Sequence, residues 1–179
     1  MTARTILMTG VLFAVLGAGG VALAQMDDDD DDDQDAVLAQ VVKDAAVSLE
    51  QGFAASAREG MPISGKFEIE VDGAQLSVYT AKGEAFSEVI VDHKSGRIAK
   101  VIPITEGNDL VHAREQLVVM KQAQLSLEDA MARTLRMQTG FRTVSATPGR
   151  ADGAPAVKLV LTNGKEWKTV YESLTKASE

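Results

Sequence analysis

Val41-Val42-Lys43-Asp44-Ala45-Ala46-Val47-Ser48-Leu49-Glu50 is answered further along the chain by Val119-Met120-Lys121-Gln122-Ala123-Gln124-Leu125-Ser126-Leu127-Glu128. Both stretches carry apolar residues at helical spacing, and both contain a Ser-Leu-Glu tripeptide. In the first, Ser48-Leu49-Glu50-Gln51 has the form of a capping box, with a serine oxygen accepting from a backbone N–H and a glutamine reaching back. Each stretch leads into more helix-period residues and then into short alternating runs. The pattern predicts an α+β protein of two repeated units, each an amphipathic helix packed on a small antiparallel sheet. The first unit is read as residues 36–104, the linker as 105–109 and the second unit as 110–179.

Outward from the first stretch, Leu38, Val41, Val42, Ala45, Leu49, Phe53 and Ala57 keep a helical period, either unbroken or interrupted near Ser48, and Gly60-Met61-Pro62 stops it. Phe67, Ile69 and Val71 then alternate with charged neighbours, Asp72-Gly73 marks a hairpin, and Leu76, Val78 and Thr80 return. A third strand is expected over 86–91 and a fourth over 97–102, stopped by Pro103. Outward from the second stretch, Leu110, Ala113, Leu117 and Met120 precede it, and Leu127, Met131 and Leu135 come after. Strands are expected at 142–146, at 157–161 and, after the Asn163-Gly164 turn, at 165–171.

The N-terminus reads as an export address. Arg4 is the basic element, residues 6–17 are uncharged and mostly apolar, and Ala22-Leu23-Ala24 is an A-x-A cleavage site. Cleavage after Ala24 predicts a periplasmic or secreted product without a stable membrane span. It removes one basic residue and no acidic one, so the net charge passes from −8 to −9. A product so acidic is a poor partner for nucleic acid. The chain has no cysteine, which excludes a thiol nucleophile and an iron–sulfur site and leaves stability to packing.

Residues 25–35 are read as an acidic disordered segment. The unbroken run Asp27, Asp28, Asp29, Asp30, Asp31, Asp32 and Asp33 is the candidate for divalent-cation binding. A calcium loop, however, interleaves its oxygen ligands with turn residues, and a plain aspartate run lacks that curl. The competing reading is a solvated spacer.

Phe86-Ser87-Glu88-Val89-Ile90-Val91-Asp92-His93-Lys94-Ser95-Gly96-Arg97-Ile98 resembles the ending of the PepSY domain: an apolar strand, Val-Asp, two variable residues, a small residue, glycine and a basic residue. The likeness covers roughly 47–102. The second copy, about 125–174, keeps the helix and Asn163-Gly164 but has no closing glycine. The resemblance implies an exported, non-catalytic protein-binding module, peptidase-inhibitory or partner-regulating. Its turn residues are Val91, Asp92 and Gly96, in a structural role: Asp92 accepts from nearby backbone N–H groups and Gly96 takes a positive φ.

The residues themselves add no reaction. His93 and His112 lack zinc-ligand spacing. Ser48, Ser87, Ser95 and Ser126 read as cap or turn residues, and there is no Gly-x-Ser-x-Gly elbow. Glu68, Glu70, Glu84 and Glu88 are expected on a solvated sheet face, and Phe86 and Trp167 under the helices. The chain is therefore read as no enzyme, with no cofactor and with a protein or peptide partner that docks by strand addition along an edge such as 142–146. The alternative is an acidic envelope protein that binds or senses divalent cations.

Overall fold

In the computed structural model the described residues are 29–71 and 73–176, with backbone alone for 29–33. The chain opens with α1 (Asp29–Asp44) and α2 (Leu49–Ser56), continues through β1 (Met61–Glu70), β2 (Gly73–Lys82), β3 (Ala85–Val91) and β4 (Ile98–Ile104), and resumes with α3 (Gly107–Met120), α4 (Leu127–Met137), β5 (Arg142–Ala151), β6 (Ala154–Thr162) and β7 (Trp167–Ser173).

Helix breaks fall where the serines stand. Ser48 Oγ accepts from Gln51 N and the Gln51 side chain accepts from Ser48 N, closing a capping box at the start of α2. Ser126 Oγ accepts from Asp129 N at the start of α4. Asp29–Asp33 are helical in backbone.

The two separate small sheets expected from the sequence do not form. All seven strands belong to one antiparallel sheet in the order β4-β3-β2-β1-β5-β6-β7. The reason lies in β1 and β5. Each would be the bare edge of a smaller sheet, and an unpaired edge is a template for another strand. They take each other instead, with Gly65 opposite Ala146 and Lys66 opposite Ser145. Both strands carry a register shift beside this seam, between Pro62 and Ser64 in β1 and between Thr143 and Ser145 in β5.

Helices lie across the seam as well. α2 packs on β1, β2, β3 and β5, while α4 packs on β5, β6, β7 and β1. One continuous core results, in which Leu49 and Phe53 meet Leu76, Val78 and Val89 from the first half and Leu127, Met131, Ala146 and Leu159 from the second. The opposite face is not left to water. Ala81, Phe86 and Ile104 sit in one cross-strand row. Leu117 and Ala113 of α3 close over that row together with Ile63.

Pro103, expected to stop the fourth strand, lies inside β4 opposite Ser87. An edge strand tolerates proline because its missing N–H can face outward. No helix among the described residues is long and apolar enough to cross a membrane.

Candidate functional site

β2 alternates, so Ser77 and Tyr79 face away from Leu76, Val78 and Thr80. Register sets Tyr79 between Ser64 of β1 and Glu88 of β3, and Ser77 between Lys66 and Ile90. A polar cluster forms there, beside the part of the sheet that α3 covers. Ser77 Oγ donates to Glu88 Oε1 at 2.8 Å, and Gln75 Nε2 donates to Ser77 Oγ at 2.7 Å and to Glu88 Oε1 at 3.2 Å. Lys66 Nζ pairs with Glu68 Oε2 at 2.5 Å. Ser64 Oγ donates to Gln116 Oε1 of α3 at 2.7 Å, which pins the helix to the sheet beside the cluster.

Burial pushes the Glu88 carboxyl above its usual range. The Ser77 hydroxyl and Lys66 pull it down, and Glu68 and Asp109 push it up. Burial, with Glu88, Glu68, Asp109 and Glu70 around it, holds the Tyr79 hydroxyl protonated far above its ordinary range. Ser77 is fully buried, and its hydroxyl donates to the Glu88 carboxyl.

Two of the glutamates expected in solvent, Glu68 and Glu88, are thus half-buried, because α3, from the other side of the expected linker, closes that face. Glu84 does lie exposed in the β2–β3 turn. The sequence reading missed Lys66, Gln75, Ser77 and Tyr79. Their signal was the two-residue period, which puts Lys66, Ser77, Tyr79 and Glu88 on one face; nothing local announced the helix over it.

The turn after β3 is built on Asp92. Its Oδ1 accepts from Lys94 N at 2.9 Å and from Ser95 N at 2.8 Å, and these two bonds, the Ser95 one first, hold the carboxyl below its usual range. Gly96 closes the turn at φ +72°, its N–H donating to Asp92 O at 2.8 Å. Val91 is buried in the core. His93 O accepts from Val47 N at 3.0 Å, so this turn also fixes the chain between α1 and α2.

His112 stands apart on α3. Among the described residues no group of three or more histidine, aspartate or glutamate side chains is placed to hold a metal ion. Asp27 and Asp28 lie outside the described residues, and Asp29–Asp33 are described in backbone alone. Ser87 and Ser95 sit in β3 and in the Asp92 turn. Phe86 is buried and Trp167 is half-buried against the core.

Residues 142–146 are not an edge. β5 is paired with β1 on one side and β6 on the other, so strand addition there is closed off by the fold's own pairing. The strands that end the sheet are β4 and β7. Among the described residues, hollows open beside α3 and beside β7. An open groove of about 580 Å³ runs between α3 and β5, with His112, Val118, Pro148 and Arg150 in its walls. A notch of about 190 Å³ lies beside β7, walled by Ala154, Pro155 and Tyr171. Compared with protein-family models, with curated proteins and with solved structures, the chain matches none.

Proposed function

We propose that this chain is an exported, non-catalytic binding module for a protein or peptide, of the kind the PepSY resemblance implies, which restrains a peptidase or regulates an envelope partner. The observation that supports it is an open antiparallel sheet. Its two outer strands, β4 and β7, have a neighbour on one side only among the described residues. Each leaves a row of backbone donors and acceptors, and pairing with an extended segment is the most economical way to satisfy them.

The remaining chemistry points the same way. The serine of the polar cluster is sealed, and the Glu88 carboxyl accepts from Ser77 and Gln75, which ties β3 to β2. The test is titration of the purified full chain into a thermolysin-type metallopeptidase while peptide hydrolysis is followed. Saturable loss of activity, with the chain surviving uncut, is the expected result. An unchanged rate across the titration, with the chain digested, would remove the inhibitory role.

A further inference from the structure

We propose that β7 is the docking strand, and that its outer edge takes an extended segment of a protein partner in which apolar and acidic residues alternate. This rests on the binding-module reading above and narrows it to one edge and one peptide chemistry.

The two ends of the sheet are not equivalent. β4 carries Pro103, which removes a donor and places a ring on the edge. β7 runs for seven residues without proline or glycine, in unbroken register with β6 from Thr162 opposite Trp167 to Ala156 opposite Ser173. Its main chain is therefore a regular template.

Side chains set the preference. Lys168, Val170 and Glu172 share a face with Leu161, Leu159 and Val157, while Thr169 and Tyr171 point to the other. Glu172 is engaged by Arg133 and Thr134 of α4, so its charge is already answered. Lys168 on β7 and Lys165 and Lys176 at its two ends are exposed, as is Glu166 beside Lys165, in a chain whose net charge is −8. Lys168 lies over the Phe141 ring at 4.2 Å and within 3.1 Å of Gln138 Oε1, with no carboxylate partner at either contact. Acidic residues on the incoming strand meet this rim favourably.

The notch beside Tyr171, walled by Ala154, Pro155 and Ala156 with Glu172 and Ser173 at its polar side, admits one apolar side chain from a strand laid on β7. Tyr171 itself is 67% exposed and offers its ring as the flank. A second copy of this chain is the poorer occupant, because it would set one lysine rim against another.

The test starts from a displayed pool of random twelve-residue peptides selected on the full chain. A recovered peptide, made synthetically, is then mapped by amide hydrogen exchange. The expected peptides alternate apolar residues with aspartate or glutamate, and slow exchange over Trp167–Ser173. Lys168→Glu is expected to weaken binding at least tenfold, and Lys100→Glu on β4 to leave it unchanged. Thr169→Pro is expected to abolish it, with Tyr171→Ala as the milder second variant should the proline disturb folding. Protection on β4 or in the α3–β5 groove would overturn the β7 assignment and leave the binding-module reading standing. Recovery of no peptide would overturn both. Protection of β7 by concentration-dependent dimerisation would give the edge to a second copy and overturn the peptide.

Discussion

Arg142 shows how much a single residue can hold in this fold. Its guanidinium donates to Lys43 O at 3.1 Å, Ala45 O at 2.8 Å and Val47 O at 3.2 Å, so one side chain from the second half secures the turn between the first two helices. Carbonyls at the end of a helix lack a helical partner of their own, and bonds to a charged donor are the stronger kind. Arg142→Ala is expected to cost about 2–4 kcal/mol in urea unfolding and to speed amide exchange at the end of α1. Gly65 sits at the seam opposite Ala146 and under the Phe53 ring. A Cβ there would run into Phe53 Cε1 and lie 3.0 Å from Ser77 O, so neither ring nor backbone has room. Gly65→Ala should cost about 1–3 kcal/mol, and Phe53→Leu in the same chain should recover part of it. Glu88 gives the pH signature. Burial raises its carboxyl above the ordinary value of 4.5, so the fold holds that proton more tightly than the unfolded chain does. That contribution is complete below the unfolded value and is lost as pH rises through the folded one. Glu88→Gln should therefore match the parent in acid and exceed its urea midpoint increasingly toward neutral pH. An equal difference at every pH would contradict the burial of that carboxyl. Of these residues the sequence showed Glu88 as one member of an alternating strand. It could not show Arg142, whose partners lie 95 to 99 positions away.

At the scale of elements, local rules were read best where the chain obeys local forces. Caps are such a case: serine side-chain oxygens satisfy N–H groups within one turn, and both Ser48 and Ser126 do so. Ser48→Ala and Ser126→Ala are each expected to cost about 1 kcal/mol by chemical denaturation, and a double variant should be close to additive if the two helices report separately. Hairpin signals were equally legible, since Asn163 Oδ1 accepts from Lys165 N and Glu166 N at 2.9 Å each and fixes the turn from within. Strand lengths were not. β5 runs to Ala151, well beyond the stretch whose alternation is visible, because Thr147, Pro148 and Gly149 are held by cross-strand pairing to β6 and not by their own preferences. β4 continues through Pro103 for the same kind of reason, an edge position that forgives the missing donor. The face covered by α3 was illegible because the helix comes from beyond the expected linker, and no local pattern in β1–β3 encodes it.

For the whole molecule, the decisive step is the union of β1 and β5. Alternation and caps specify where helices and strands lie, but they are indifferent to whether two edges meet. That is settled by long-range fit: a glycine and an alanine facing across the seam, α2 and α4 each reaching over it, Arg142 tying one half's helices to the other half's strand, and Thr143 Oγ1 donating to Glu50 Oε1 at 2.8 Å. Because the core is continuous, unfolding is expected as one transition, with tryptophan fluorescence from Trp167 and far-UV circular dichroism superimposing in urea. Two separated transitions would mean halves that fold independently. The most direct measurement is the set of nuclear Overhauser contacts between backbone protons at the seam. A joined seven-stranded sheet predicts strong contacts linking Gly65 and Lys66 with Ala146 and Ser145, and slow amide exchange in both strands. Absence of those contacts, with β1 and β5 exchanging as fast as β4 and β7, would contradict it.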